Sequence, residues 1–290
     1  MYDIIVIGGG PAGLAASING KNRNKSVLLC SNDYRDSYLY KAARIENYPG
    51  RPGISGKELL EELVNHAKKA EVEFLQEKAF AVISLDGQIY VSAGDKVENA
   101  RRVILAIGMP SPNKFPGEAP FLGRGVSYCA TCDGMLYRNG KKVTVVGKAE
   151  NSVEEANYLN EIGCQVTFVS DKPAFGLKEG IESVVAKRLE VMGKDAVTAL
   201  KADDREIPSD GIFILRNSVA PSDLLPGLEL DGGAITVNRR METSVPGVYA
   251  AGDCTGRPLQ ISKSLGEGQS AALNAAESID LEKKEGKSAR

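Results

Sequence analysis

Apolar positions along this chain fall into short runs separated by longer stretches with helical spacing. Tyr2 to Ile7 (YDIIVI) is an apolar run of strand length, and Pro11 to Asn19 has the spacing of a helix. Ser26 to Leu29 predicts the next parallel strand. From Lys57 to Lys69, residues Leu59, Leu60, Leu63 and Ala67 share one face of an amphipathic helix. Between Val72 and Val97 the pattern shortens into antiparallel strands with a turn at Asp86-Gly87. A buried strand returns at Arg102 to Ile107 and ends in Gly108. The passage MPSPNKFPGEAP then predicts a linker. Strand-turn-helix logic restarts at Lys142, where VTVVGKAENSVEEANYL runs from Val143 to Leu159. A second hinge is expected near Met241 to Pro246, followed by GVYAAGDCTG and a final helix from about Gln260 to Ile279. The tail from Glu282 to Arg290 is charged and is expected to fray.

This alternation predicts an α/β fold with parallel sheets. A length of 290 residues is long for one core and suits two domains. The formal net charge of −2 gives no reason to expect nucleic acid or a membrane surface as partner. No apolar run reaches the roughly 18 residues of a membrane span. The N-terminal apolar run lacks a preceding positive region and is broken early by glycine and proline, so no targeting segment is expected. The 5 cysteines are odd in number and unevenly spaced. That excludes a secreted disulfide scaffold and predicts a cytoplasmic protein.

Two patterns carry chemistry. Gly8, Gly10 and Gly13 form G-x-G-x-x-G between a predicted strand and a predicted helix. The first glycine permits a tight turn, the second lets a pyrophosphate approach the backbone, and the third lets helix pack on strand. The helix N-terminus adds amide donors and a favourable dipole. An acid commonly ends the second strand and binds the ribose, but Cys30 stands there, with Asp33 three residues on. The second pattern is SYCATCDGML, Ser127 to Leu136. Cys129 and Cys132 have redox-active spacing, and a helix starting there favours a thiolate. Asp133 follows and can move a proton. A zinc half-site is the rival reading, but there is no second CxxC and the only histidine is His66, so no metal is expected. Structural cysteines are the other alternative.

The chain resembles the low-molecular-weight thioredoxin reductases, flavoproteins that reduce a disulfide in thioredoxin. The resemblance spans nearly the whole sequence. It rests on IVIGGGPAGLAA, IENYPG at Ile45 to Gly50, LAIG at Leu105 to Gly108, CATCDG at Cys129 to Gly134, and GVYAAGD with QISKSLGEG. It implies two Rossmann-like, three-layer domains: an FAD domain of residues 1–111 and 241–290, split by an inserted NADPH-like domain of residues 112–240. By position, Gly8, Gly10 and Gly13 would face the FAD pyrophosphate, and Asn47 and Gly108 would lie in the flavin site. Asp253 would bind the ribityl chain, and Gln260 with the amide of Ile261 would sit near the polar end of the isoalloxazine. Cys132 would face the flavin, Cys129 would attack thioredoxin, and Asp133 would be the acid. A homodimer is implied. One departure is local: a glycine pair usual before a flavin-contacting glutamine is here Asp36-Ser37, followed by Tyr38.

The second loop departs further. Where such reductases carry G-G-G-x-x-A for NADPH, this chain reads Gly147, Lys148, Ala149, Glu150, Asn151, Ser152. Ala149 adds a methyl where pyrophosphate would approach. Lys148 replaces a residue that can need positive φ, which costs a non-glycine residue roughly 1 kcal/mol. Glu150 carries no weight, because NADPH-using relatives can have an acid there. The histidine and arginines that grip a 2′-phosphate are replaced by Ser170, Asp171, Lys172 and Gly176. Asp171 is placed where an NAD-binding acid takes a ribose hydroxyl. A-I-G at the end of the domain's last strand becomes Leu215, Arg216 and Asn217. The nucleotide site thus reads as lost, and the chain looks most like the ferredoxin-dependent flavin thioredoxin reductases. Electron flow from a ferredoxin at about −400 mV to thioredoxin at about −270 mV releases roughly 6 kcal/mol for two electrons. Two alternatives stand beside this reading: a NADH- or NADPH-dependent thioredoxin or glutaredoxin-type reductase, and a non-catalytic redox-sensing flavoprotein. His66, Cys30, Cys164, Cys254 and the tyrosines Tyr34, Tyr38 and Tyr40 receive no catalytic role.

Overall fold

The structure is a computed structural model that describes residues 1–288 apart from 38, 86, 109–113, 150 and 217–218; the side chains of residues 36, 132 and 285–288 are also outside the description. The chain divides into two compact units, Met1–Pro110 with Ala220–Arg290, and Ser111–Val219.

Unit 1 is built on strands β1 (Tyr2–Ile7), β2 (Val27–Cys30), β3 (Glu73–Leu75), β4 (Ala79–Leu85), β5 (Gln88–Ala93) and β6 (Lys96–Leu105). The order is β3-β2-β1-β6-β5-β4, and strand Val248–Ala250 also pairs with β6. β6 serves two ladders. Its first half is antiparallel to β5, while its second half lies parallel to β1 and to Val248–Ala250. Ile4, Ile5 and Val6 are all buried, which is why β1 reads as a continuous apolar run rather than an alternating one. The hairpin β4–β5 closes where Leu85 pairs with Gln88, so Gly87 lies in its turn with φ +74°; Asp86 is outside the described residues. Helix α1 (Pro11–Asn22) follows β1 directly, and α2 (Gly56–Lys69) starts at an N-cap where Ser55 accepts from the Glu58 amide.

The helix Ile261–Ser288 packs along α1 through Ala271, Ala272, Ala275 and Ile279, all fully buried. A Cβ on Gly268 would fall 2.1 Å from the carbonyl oxygen of Ala12, so glycine is what permits this approach. The expected fraying from Glu282 is not found: the helix runs on to Ser288. Its later turns are tied to the sheet, with Arg102 bonded to Ser278 and Glu282, Lys25 to Asp280, and Lys283 to Asp3.

Unit 2 has a parallel sheet of β7 (Val126–Ser127), β8 (Lys142–Gly147), β9 (Gln165–Ser170), β10 (Glu182–Val185) and β14 (Gly211–Leu215), in the order β10-β9-β8-β14-β7. Its remaining strands, β11 (Leu189–Gly193), β12 (Val197–Ala202) and β13 (Arg205–Pro208), form an antiparallel sheet. Side chains alternate along β8. Val143 and Val145 join a core with Ala156 and Leu159 of the helix Ser152–Glu161, while Val146 joins a core with Val191 and Leu200. The predicted α/β architecture is therefore present in both units.

The expected boundary at 240 is displaced to Val219/Ala220. Residues 220–240 pack with unit 1: the short helix Pro221–Leu224 lies on β4, and the hairpin Leu230–Asp231/Ala234–Ile235 lies against the turn Asp253–Thr255. The hinge expected at Met241 to Pro246 is instead a turn inside unit 1, where Thr243 N–H donates to the Val248 carbonyl and Ala250 N–H to that of Met241.

Candidate active site

In unit 1 the turn from β1 into α1 has the glycine geometry a dinucleotide needs. A Cβ on Gly8 would fall 2.2 Å from the Ala106 carbonyl oxygen, and one on Gly13 would fall 1.8 Å from the Gly8 carbonyl oxygen. Both glycines are demanded by packing. A Cβ on Gly10 would meet nothing within 4 Å, so at the N-cap of α1 the backbone opens onto free space. No side chain caps that helix start, which leaves its amides for an anion. Gly108 has φ +69° and also opens onto free space. Cys30 ends β2 as predicted; burial pushes its thiol up to about 12, so it is inert. Asp33 is held by Arg35, which donates to both of its carboxylate oxygens and keeps the carboxyl below its usual range. Tyr38 lies outside the described residues.

Four further predicted residues lie around the start of the last helix. Asn47 sits in the loop closed by the Ile45–Ile54 bridge, and its Nδ2 donates to Gln260 Oε1 at 2.7 Å. Gln260 is the residue before Ile261, and its carbonyl accepts the Ser264 amide, so it stands at the helix N-cap. Ile261 packs against the cluster of Ile45, Ile54 and Leu59 beneath that loop. Asp253 begins the turn Asp253–Thr255 and accepts from the Ser264 hydroxyl at 3.3 Å.

Sequence reasoning missed what holds this turn. Lys263 Nζ donates to the carbonyls of Gly252 and Gly256 and to Thr255 Oγ1, at 2.8 to 2.9 Å. Glu267 pairs with Lys263 at 3.1 Å and accepts from the Gly252 amide and the Thr255 hydroxyl. The i, i+4 spacing of this lysine and glutamate was the available signal. Cys254 beneath the turn is fully buried, which pushes its thiol up to about 12. The open backbone at Gly10, the uncapped amides of α1 and the fixed Asp253 carboxylate fit the pyrophosphate and sugar portions of a flavin dinucleotide.

In unit 2 the CxxC segment opens the short helix Ala130–Asp133. Cys129 is disulfide-bonded, whereas Cys30, Cys164 and Cys254 are free; the side chain of Cys132 lies outside the described residues. Ser127 Oγ bridges the backbone of Cys129, accepting from its N–H and donating to its C=O, both at 3.1 Å. The Asp133 amide donates to the Cys129 carbonyl and closes the turn. Asp133 is half-buried, and its charge, after burial itself, helps push the Tyr137 hydroxyl above its usual value. Met135 and Leu136, just beyond, are 48% and 68% exposed.

The loop after β8 keeps the turn but not the open donors. Lys148 N–H donates to the Leu215 carbonyl, and Ala149 N–H donates to Ser152 Oγ, which in turn donates to the Ala149 carbonyl. Gly147 is required by Phe168, whose ring would lie 2.3 Å from an added Cβ. The strain expected at Lys148 is absent, because neither Lys148 nor Ala149 has positive φ. The Lys148 ammonium instead reaches Asp171, 3.5 Å away at the end of β9. Glu150 and Asn217 lie outside the described residues. Arg216 turns back into the unit: it donates to both oxygens of Glu118 and stacks 4.8 Å over the Phe115 ring. Glu118 is fully buried and also accepts from Tyr128 Oη and the Phe115 amide. Burial alone would raise the Glu118 carboxyl, but Arg216 and these donors hold it below the usual range.

A model of the pyridine nucleotide-disulphide oxidoreductase family matches residues 2–268. The chain belongs to this family. Within this family the thioredoxin reductase of Bacillus subtilis is 33% identical, with 97% of this chain and 95% of that protein covered. The thioredoxin reductase of Aquifex aeolicus is 34% identical, with 87% and 85% covered. These matches place the chain among the thioredoxin reductases, the family that IVIGGGPAGLAA and CATCDG point to. Among solved structures, a ferredoxin-flavin thioredoxin reductase from Clostridium acetobutylicum superposes with a TM-score of 0.91 at 43% identity, covering 97% of this chain and 98% of that one. An atypical thioredoxin reductase from Desulfovibrio vulgaris Hildenborough gives a TM-score of 0.68 at 27% identity, covering 97% and 99%.

Proposed function

We propose that this chain is an FAD-dependent thioredoxin-disulfide reductase that takes its electrons from reduced ferredoxin rather than from a nicotinamide. The observation that carries the donor assignment is the closed second loop. Its Ala149 amide is taken up by Ser152, and its lysine pairs with the one acid placed to hold a ribose. Neither helix start has a side-chain cap, so the second loop is set apart by its turn, where the Lys148 and Ala149 amides are already bonded. The likeness to a ferredoxin-flavin thioredoxin reductase supports the same assignment.

In this reading Gly8, Gly10 and Gly13 receive the FAD pyrophosphate, Asp253 takes the ribityl chain, and Asn47, Gly108, Gln260 and Ile261 surround the flavin. When bound, FAD couples a one-electron donor to the two-electron chemistry of a disulfide. Cys132 faces the flavin. With the dithiol formed, the Cys129 thiolate attacks a thioredoxin sulfur and a mixed disulfide forms. The Cys132 thiolate then attacks Cys129 Sγ, re-forming the internal disulfide and releasing thioredoxin as a dithiol, with Asp133 delivering the proton. Exposed Met135 and Leu136 give thioredoxin an apolar footing beside the disulfide. The enzyme acts as a homodimer in the cytoplasm, where buried Cys30, Cys164 and Cys254 stay reduced.

Anaerobic bleaching of flavin absorbance tests the reading, with NADH, NADPH and reduced ferredoxin compared in parallel. Bleaching by ferredoxin followed by thioredoxin reduction is expected. Rapid bleaching by either nicotinamide would overturn the donor assignment, and no disulfide turnover with any donor would favour a non-catalytic flavoprotein.

A further inference from the structure

The CxxC segment has a partner that no motif singles out. Glu155, in the first turn of the helix Ser152–Glu161, accepts at Oε2 from the Ala130 backbone N–H at 3.2 Å, between the two cysteines. Its Oε1 accepts from Asn151 Nδ2 at 2.9 Å. The carboxylate is thus held through both oxygens, with one of them on the first amide of the helix Ala130–Asp133.

The segments in contact here are acidic in sequence. The helix Ala130–Asp133 packs against Ser152–Glu161 and the 3-10 turn Gly134–Tyr137. Across these three elements the titratable groups besides Cys132 are Asp133, Tyr137, Glu154, Glu155, Tyr158 and Glu161, and no lysine, arginine or histidine occurs. Glu154 is exposed and Glu161 ends its helix, so Glu155 is the acid bonded to the dithiol segment. A helix start beside a cysteine ordinarily lends its amides to a thiolate. Here the amide at that place faces a fixed negative charge.

Resting on the disulfide-reductase reading above, we infer that Glu155 is a positioning residue that disfavours the thiolate and makes the Cys129–Cys132 pair a stronger reductant. Reducing the disulfide takes two electrons and two protons and yields two thiols. Near neutral pH part of the product has lost one proton and exists as a thiolate. A charge that destabilises that thiolate destabilises the reduced form, lowers the reduction potential, and drives electrons onward to thioredoxin. Stabilising the reduced form does the opposite and makes a dithiol a strong oxidant when re-formed as a disulfide.

The full-length holoprotein carrying Glu155→Gln keeps the shape and the acceptor for Ala130 but loses the charge. After chemical reduction, alkylation of the reactive cysteine should be at least threefold faster at neutral pH, and its pH profile should move to lower pH. Cys30 and Cys254 stay silent, because burial pushes their thiols up to about 12. Equilibration with a glutathione couple should shift about tenfold toward the dithiol, which is about 30 mV for two electrons. Glu154→Gln should leave both readouts unchanged. Wild-type profiles in Glu155→Gln, with or without a lower melting temperature, would reduce Glu155 to a structural cap and overturn the inference. An equal shift in Glu154→Gln would overturn the assignment to this one residue. Both readouts are on the dithiol alone, so failure of the wild-type protein to reduce thioredoxin would strike the functional reading instead.

Discussion

The Lys148 ammonium stands 3.5 Å from the Asp171 carboxylate, so the second loop carries its own counter-ion. The pair is 28% and 55% exposed, which places it among weak surface ion pairs worth at most about 1 kcal/mol. Lys148→Ala should therefore melt close to the wild-type protein. It should gain no bleaching by NADPH, because nothing among Ser170, Asp171, Lys172 and Gly176 replaces the missing arginine grip. NADPH bleaching in this variant would mean that the ion pair alone guards the site.

The Asn47–Gln260 bond joins two residues 213 positions apart at the proposed flavin site. It is exposed, so Asn47→Leu should cost about 1 kcal/mol of stability or less. The visible flavin spectrum and its reduction potential should change by more than that modest loss suggests. An unaltered spectrum would place the flavin away from this bond.

Lys263→Met removes a charged donor from two carbonyls and a hydroxyl around Asp253. Charged hydrogen bonds of this kind are worth about 2 kcal/mol, so FAD should bind roughly thirtyfold more weakly. Fluorescence titration of the apoprotein with FAD measures this directly.

Glu118→Gln should destabilise unit 2 by about 3 kcal/mol, because it removes the buried carboxylate charge to which Arg216 is doubly bonded. The pH dependence has a definite sign. The folded carboxyl lies below its ordinary value, so its stabilisation is complete above the unfolded pKa of about 4.3. It is lost as the pH falls from there through the folded value. Acid melting curves of the wild-type protein and of Glu118→Gln should converge in that window.

Cys129→Ser should stop thioredoxin reduction while leaving bleaching by the electron donor intact. Thioredoxin trapped as a mixed disulfide on Cys132 of this variant would exchange the two roles, and continued turnover would overturn the dithiol mechanism itself.

The sequence made the parallel core legible because burial on both faces leaves an unbroken apolar run, as in Ile4, Ile5 and Val6. The turn at Gly8 and Gly13 was legible because each of these glycines answers a close backbone approach that no side chain could fit. The boundary at 219 was not, because Pro221–Leu224 and the hairpin after it are too short to show a period. The last turns of the C-terminal helix were missed for another reason. Their charges look solvated in the sequence, yet Arg102 and Lys25 of the same unit pair with Glu282 and Asp280. Lys148 looked strained by analogy with a glycine, but its φ is ordinary once Gly147 alone makes the close approach. Glu155 carried no signal at all, since two adjacent glutamates at a helix start usually serve only the helix dipole.

Because unit 2 interrupts unit 1 in sequence, the ribosome makes Gly8 to Gly13 before unit 2 and Asp253 and Gln260 after it. Ser111–Val219 has its own sheet and core and can fold while the chain is still emerging. The proposed flavin cradle cannot. If the proposed flavin site is right, flavin uptake works as a proofreading step on synthesis: a chain that stops before Asp253 presents the phosphate turn without its carboxylate and stays colourless.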